Sequence, residues 1–523
     1  MSAPRVPVTF APEGLTVWVV AGTTVADAAR AAGIIIPTPC GGRGTCGACG
    51  VRVRSGALSE PNADEQAALA HAPQGVRLAC RARVVGPVEV KPLVAGSRIV
   101  ARASGEAGEL RPVVAGVDLG TTSVAAVIID LRSGSELARV SVPNLQQRAG
   151  ADVLSRISAA LAGGAEELRM LAEESIVNAL SLAAQHAGVR LAGVSRVVIA
   201  GNTAMAALLC GVDPTSLSVH PFRAPALPTV VDSVALRAAL SANAEVLLVP
   251  AMASFVGGDA LAGVLYSRML DTAAPVLLVD LGTNAEIVLS RGGVLHTTSA
   301  AAGPAFEGAG IACGGPAADG AVSLVVVTEE GACELTVLGG GQPEWFSGSG
   351  VVSAMSALLR LGHIDATGLM HRDGVLEDRY AVDDSGIAGF AFGVGNGCLR
   401  ITQLDVRAVQ LAKAAIHVGI ESVLRTAGCT ASELTQVRVA GVFGFSVQPA
   451  DLIALGVLPV ESARVALRVG NTSLEGAAAI ALDPGLLVRA EAAVAAAVTV
   501  ELAGVAGFNE AFLSAMELAP YSL

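Results

Sequence analysis

The stretch Val113-Val-Ala-Gly-Val-Asp118-Leu-Gly120-Thr121-Thr122 decides the fold, because it returns as Val276-Leu-Leu-Val-Asp280-Leu-Gly282-Thr283-Asn284. Each copy reads as a buried strand that ends in an aspartate and a Gly-Thr turn. Two further strands follow each one, over 123–130 and 137–142 in the first case and 285–290 and 294–298 in the second. One such phrase would pass as a tight hairpin. Two, each heading a matched meander, imply duplicated subdomains. An aspartate at the end of a buried strand, next to Gly and Thr, sets a carboxylate beside N–H groups and hydroxyls. Such a turn can hold phosphate oxygens while the carboxylate holds Mg²⁺ or orients an attacking water. Two opposed hairpins of this kind would clamp a triphosphate from both sides.

The rest of the chain fits that reading. Its 523 residues allow several domains, and 52% apolar against 15% charged residues is a composition that buries cores. A net charge of −12 speaks against a nucleic-acid surface. The only lysines are Lys91 and Lys413, neither preceded by glycine, so the G-x-x-x-x-G-K-[ST] phosphate loop is excluded. Residues 1–9 lack the basic start and apolar run of a signal peptide, and no membrane span is legible. A cytoplasmic location is the expectation.

Upstream of the repeat, residues 6–20 alternate around Pro12-Glu13-Gly14 as a hairpin, and a short helix follows from Thr24. Then comes Pro39-Cys40-Gly-Gly-Arg-Gly-Thr-Cys46-Gly-Ala-Cys49-Gly50, with Cys80 closing the unit thirty residues on. Four thiolates suit structural zinc or an iron–sulfur cluster. Zinc ribbons pair two C-x2-C knuckles, whereas here three cysteines share one loop that is, apart from Arg43, all Gly, Ala and Thr. Small residues let the backbone wrap a cluster and aim N–H groups at its sulfurs, which favours [2Fe–2S]. Cys210, Cys313, Cys333, Cys398 and Cys429 stand singly and read as buried apolar thiols. Residues 91–112 have no period and read as a linker.

The cysteine pattern resembles plant- and adrenodoxin-type ferredoxins. The paired aspartate turns resemble the phosphate-1 and phosphate-2 motifs of the actin, sugar-kinase and heat-shock-chaperone ATPases. Val437-Arg-Val-Ala-Gly441-Val442-Phe443-Gly444 is similar to their adenosine motif, with Val442 where a second adjacent glycine is usual. The capped helix that starts at Thr402-Gln-Leu-Asp405 precedes it. By resemblance to the chaperones, Lys413 on that helix is a nucleoside contact; a solvated surface lysine is the alternative.

An iron–sulfur unit fused to this ATPase core resembles the reductive activators of corrinoid proteins along essentially the whole chain. Phrases carrying that likeness include Asn144-Leu-Gln146-Gln-Arg-Ala-Gly150-Ala-Asp152-Val-Leu-Ser-Arg156, Gly201-Asn202-Thr203, Phe255-Val-Gly-Gly258-Asp259 and Ala301-Ala-Gly303-Pro304-Ala-Phe306-Glu307-Gly308. Asp152, Asp259 and Glu307 either lie near nucleotide or partner, or satisfy backbone groups.

The fold implied is multidomain, α+β and α/β. A β-grasp ferredoxin-like domain (1–90) and a linker (91–112) precede duplicated ribonuclease-H-like actin-type ATPase subdomains (113–270 and 271–523). The resemblance implies ATP-dependent return of one electron to a Co(II) corrinoid, restoring Co(I). Cys40, Cys46, Cys49 and Cys80 would bind the cluster. Asp118, Asp280 and Glu307 would be catalytic, the two aspartates organising Mg²⁺ and water. Gly120, Thr121, Thr122, Gly282, Thr283 and Asn284 would hold the phosphates of ATP, and Lys413, Gly441 and Gly444 the nucleoside. The implied partners are a corrinoid protein of a methyltransferase system and an external low-potential electron donor, with room for a homodimer and none for nucleic acid or membrane. None of the seven histidines sits in the D-x-H-x-x-G phrase of a corrinoid carrier. The rival readings are a small-molecule kinase with a redox-sensing ferredoxin domain, an ATP-independent electron carrier, and a zinc-bearing nucleotide scaffold.

Overall fold

Alternation of apolar residues makes Arg5–Phe10 (β1) and Leu15–Val20 (β2) an antiparallel pair, with Val8 opposite Val17. Gly50–Leu58 (β3), Val76–Leu78 (β4) and Val84–Pro92 (β5) complete a sheet of order β2-β1-β5-β3-β4, in which only β1 and β5 run parallel. Val25–Ala31 (α1) lays Val25 and Ala28 on the buried face formed by Val8, Phe10, Val51, Leu78 and Val90. Each such valine, leucine or phenylalanine contributes about 1.5–3 kcal/mol when fully buried. This is the β-grasp arrangement expected of a ferredoxin-like domain, and Ala63–Ala68 (α2) reaches β4 through Glu65, which accepts Leu78 N–H. The computed structural model describes residues 5–11, 15–32, 34, 36, 44, 49–69, 75–92, 108–150, 152–241, 243–392, 399–441 and 447–523.

Those residues gather into two units, Met1–Ala262 with Ser473–Val488, and Gly263–Thr472 with Arg489–Leu523. Besides the β-grasp domain, the first unit holds a sheet of order β10-β9-β6-β7-β8. Its strands are Val113–Leu119 (β6), Ser123–Asp130 (β7), Glu136–Pro143 (β8), Val194–Gly201 (β9) and Glu245–Leu248 (β10). The central strand β6 is apolar and buried almost throughout, as a strand covered on both faces must be. Helices Val153–Ala159 (α3), Ala165–Ala187 (α4), Thr203–Leu209 (α5) and Val234–Ala239 (α6) flank it, and Gly258–Tyr266 (α7) begins beside the site described below.

In the second unit Val276–Leu281 (β11), Ala285–Arg291 (β12) and Val294–Ala300 (β13) form the matching antiparallel meander. The strands Ala321–Val327 (β14), Cys333–Val337 (β15) and Trp345–Phe346 (β16) make one small inserted sheet, and Tyr380–Val382 (β17), Ala388–Phe392 (β18) and Leu399–Thr402 (β19) another. Gln436–Ala440 (β20) and Ala466–Gly470 (β21) then add parallel to β11, as β9 and β10 add to β6, and Val498–Thr499 (β22) closes the far edge. Three meander strands followed by two parallel ones, in the same lateral order, is the duplication that the repeated aspartate phrase predicts.

Gly348–Arg360 (α8) packs on β14. Gln403–Thr426 (α9) crosses β12 and β13, where a Cβ on Gly419 would lie 2.4 Å from Ile287 Cδ1. As expected, Thr402 and Asp405 form a reciprocal capping box at the start of α9. Pro449–Ala454 (α10), Thr472–Leu482 (α11), Gly485–Ala496 (α12) and Phe508–Ser514 (α13) follow. Residues 473–488, grouped with the second subdomain on sequence alone, pack with the first. A Cβ on Gly116 would lie 2.6 Å from Ala478 N, so the small residues of α11 sit directly on the central strand. No helix among the described residues is long and apolar enough to cross a membrane.

Candidate functional site

The first aspartate turn follows β6. Asp118 accepts the Ser473 hydroxyl on Oδ1 at 2.8 Å and is the parallel neighbour of Ala200, the residue before Gly201. Asn202 caps α5 by accepting Met205 N–H at 2.9 Å, and its amide donates to Thr121 Oγ1 at 3.0 Å. Asp259 opens α7 with its own carboxylate on Ala260 N–H at 2.8 Å. Burial pushes the Asp259 carboxyl up to about 7; the like charge of Asp118 adds to the rise and the Ala260 hydrogen bond opposes it. The side chain stays partly accessible, so dense packing rather than complete enclosure is the cause.

This shift has a consequence for stability. A carboxyl whose pKa is raised by folding favours the fold while it is neutral, and that contribution is lost as the pH climbs from the ordinary carboxylate range through about 7. Asp259→Asn removes the loss. The nucleotide-free variant is expected to melt above the parent at pH 8 and level with it at pH 4; equal melting at pH 8 would contradict the assignment.

The second turn follows β11 and is closed by Gly282 N–H donating to Asn284 O at 3.0 Å. That amide is therefore spent inside the turn rather than offered outward. The Thr283 hydroxyl donates to Glu307 Oε2 at 3.1 Å, and a Cβ on Gly282 would lie 3.5 Å from Glu307 Oε1. The structure thus brings Glu307 to the second aspartate turn, where burial pushes its carboxyl up against the lowering effect of the Thr283 hydrogen bonds. Asp280 pairs in register with Ala440, and Gly441 follows at φ +105°. A Cβ there would meet Leu281 O at 2.2 Å and Asp280 Oδ1 at 3.1 Å, so only glycine fits. Val442, Phe443 and Gly444 lie outside the described residues.

Gly201 is the counterpart of Gly441 in the first half: a Cβ on it would lie 2.8 Å from Leu119 O, where one on Gly441 would lie 2.2 Å from Leu281 O. The sequence carried the signal in Ile199-Ala200-Gly201 against Val439-Ala440-Gly441.

Asp152 caps α3, accepting Ser155 N–H at 2.7 Å while Ser155 Oγ accepts Asp152 N–H at 3.1 Å, so its carboxylate satisfies backbone. Lys413 corrects the expectation on both sides. It is 1% exposed and donates to Glu517 O at 2.7 Å, neither solvated nor presented to a ligand, and burial lowers its ammonium to about 8. The stacked pair His417 and Tyr521, 3.6 Å between ring centroids, shows what lies over that stretch of α9: the end of the chain.

In the β-grasp domain Cys49 precedes β3 and Cys80 follows β4, and the Gly50–Leu78 register brings them together. Their sulfurs are 3.2 Å apart, too far for a disulfide of about 2.05 Å. Two converging soft donors fit thiolate-bound iron. Cys40 and Cys46 lie outside the described residues. Among the described residues no three His, Cys, Asp or Glu side chains gather around one point. Of the remaining cysteines, Cys429 is buried as expected, while Cys210, Cys313 and Cys333 are only half-buried; Cys398 lies outside the described residues.

Glu65, 1% exposed, was not singled out from sequence, yet it holds this corner. It takes Arg77 through Nε at 2.9 Å and Nη2 at 3.0 Å, and Leu78 N–H at 2.8 Å. Glu65→Ala leaves Arg77 without its carboxylate and is expected to cost the domain about 3 kcal/mol. Faster anaerobic bleaching of the visible absorption in dilute denaturant is the readout; an unchanged rate would contradict the role.

Family models now meet this geometry. One described as the RACo middle region matches residues 113–272, and one described as the C-terminal domain of RACo, the ASKHA domain, matches 274–522. The chain belongs to the RACo family. A 2Fe-2S iron-sulfur cluster binding domain model matches residues 8–85, so the order is ferredoxin-like domain, RACo middle region, ASKHA domain. The solved structure titled "Reductive activator for corrinoid,iron-sulfur protein" matches with a TM-score of 0.71 and 26% identity over 98% of both chains. The corrinoid activation enzyme RamQ of Eubacterium limosum is 32% identical over 378 residues, 69% of this chain and 62% of RamQ. The "[Co(II) methylated amine-specific corrinoid protein] reductase" of Methanosarcina barkeri is 25% identical over 403 residues, 71% of this chain and 70% of that protein. The chain therefore spans 62% of the length of the first of these curated relatives and 70% of the second.

Proposed function

We propose that this RACo-family protein uses ATP to drive the one-electron reduction of a Co(II) corrinoid held by a partner protein, restoring Co(I). The observation that carries the reading is the union, on one chain, of the converging Cys49–Cys80 pair with two aspartate turns of matching build. The relatives named above, one a corrinoid activation enzyme and the other a reductase of a Co(II) corrinoid protein, support the substrate class.

Cys40, Cys46, Cys49 and Cys80 hold the [2Fe–2S] group, which supplies a one-electron donor. Gly120, Thr121 and Thr122 receive phosphate oxygens at one turn, and Gly282, Thr283 and Asn284 at the other. Asp118 and Asp280 hold the waters of Mg²⁺ or aim the attacking water, and Glu307 fixes the Thr283 hydroxyl. Mg²⁺ in such a site is held largely through phosphate and water, in keeping with the lack of a ready-made carboxylate cage among the described residues. Gly441 leaves room for the nucleoside. The domain borders proposed are 1–90, 91–112, 113–270 and 271–523, with 473–488 returned to the first ATPase half.

The need for ATP follows from energetics. A plant-type [2Fe–2S] centre lies near about −400 mV, the cobalt couple is lower, and each 100 mV uphill costs about 2.3 kcal/mol per electron. Nucleotide acts by biasing a conformational equilibrium of the complex. The test is ATP turnover with candidate substrates. Stimulation by a Co(II) corrinoid protein, with phosphate released to water, is expected. A phosphorylated sugar or acid as product would overturn the reading in favour of a kinase.

A further inference from the structure

The phrase Asn144–Arg156 carries part of the family likeness. In the structure its polar side chains converge on the backbone of the first aspartate turn. Asn144 Nδ2 donates to Gly120 O at 2.8 Å, Arg156 Nη2 donates to Thr121 O at 2.6 Å, and Gln147 Nε2 donates to Thr122 O. Three successive carbonyls are thus each held by a buried side chain.

Peptide planarity turns this into a statement about the opposite side. In a trans peptide the carbonyl of one residue and the N–H of the next point in opposite directions. Fixing the Gly120 and Thr121 carbonyls therefore fixes the Thr121 and Thr122 N–H groups away from the grip. Among the described residues neither N–H donates to a protein acceptor.

Arg156 stands apart from the two amides because it carries charge. It is 0% exposed, and its other contacts are neutral: Gly150 O at 3.0 Å, Met205 Sδ at 3.0 Å and Gln146 Oε1 at 3.4 Å. It forms no ion pair among the described residues. Burial lowers its pKa to about 10, partly offset by Asp152, so the guanidinium is still protonated at neutral pH. A buried charge without an ion-paired carboxylate is costly unless something of opposite sign comes to it. Gly150 makes the arrangement possible, since a Cβ there would lie 2.9 Å from Arg156 N and 2.4 Å from Ser155 Oγ.

We propose that Arg156 is the positioning residue of the first phosphate turn: it grips the Thr121 carbonyl so that the Thr122 N–H faces a phosphate oxygen, and its buried charge favours an anion at that turn. A charge-assisted bond to the carbonyl also polarises the same peptide, making its N–H the stronger donor. The inference rests on the reading of the turn after Asp118 as a phosphate site.

The experiment measures ATP affinity, and adenosine affinity by displacement, on the full chain carrying its cluster, for the parent, Arg156→Met and Arg156→Lys. Arg156→Met is expected to weaken ATP about tenfold or more, with adenosine unchanged within about twofold and the far-UV dichroism and visible spectrum as in the parent. Arg156→Lys keeps the charge but loses the fork, and is expected to fall between, again for ATP alone. If Arg156→Met does not fold, the lysine variant decides by the same criterion. Equal weakening of ATP and adenosine, or unweakened ATP, would overturn the role of Arg156. A parent that binds no ATP at all would instead overturn the reading of the turn on which it rests.

Discussion

Asp280→Ala is expected to lower ATP turnover by about 10³-fold, the scale at which removing one preorganised electrostatic group slows a reaction. The carboxylate sits where the central strand β11 ends, with Gly441 closely packed on it and no space for a larger residue there. Such a group costs no reorganisation when charge develops on the transferring phosphoryl group. Its removal leaves β11 and its buried apolar residues intact, so the melting temperature and the visible spectrum of the β-grasp domain should match the parent. Steady-state phosphate release alongside a thermal melt separates chemistry from folding. Joint loss of turnover and fold would mean that Asp280 is structural.

Cys80→Ser is the complementary case. The hydroxyl is a harder and less easily ionised donor than a thiol, and Cys80 is one of the two sulfurs that the β3–β4 pairing brings to 3.2 Å. The variant is expected to lose most of its iron, its visible absorption and all corrinoid reduction, while ATP affinity stays within about twofold of the parent. Iron analysis and nucleotide binding on one preparation check both halves. Full iron content with serine at position 80 would remove Cys80 from the ligand set.

The aspartate phrases announced the duplicated sheets because strand, turn and meander are local patterns, and both copies form with the predicted order. The capping box at Thr402 and Asp405 was legible for the same reason. Relations across the chain were not. Lys413 lies on an amphipathic helix whose pattern cannot reveal that the chain end covers it, bringing Glu517 O within 2.7 Å of the ammonium. The docking of α11 on Gly116 depends on small residues meeting some 360 positions apart, for which sequence has no period. Glu65 and Arg156 reach backbone groups whose position only the fold sets. Gly201 alone could have been found, by carrying the repeat one strand further and setting Ile199-Ala200-Gly201 beside Val439-Ala440-Gly441.

The direct measurement follows the Co(I) absorption band after anaerobic mixing of the reduced protein with a Co(II) corrinoid protein, with and without Mg·ATP. Co(I) formation is expected to depend on Mg·ATP, because nucleotide drives the electron delivery, and to be absent with Asp280→Ala. Co(I) appearing equally well without nucleotide would contradict that dependence.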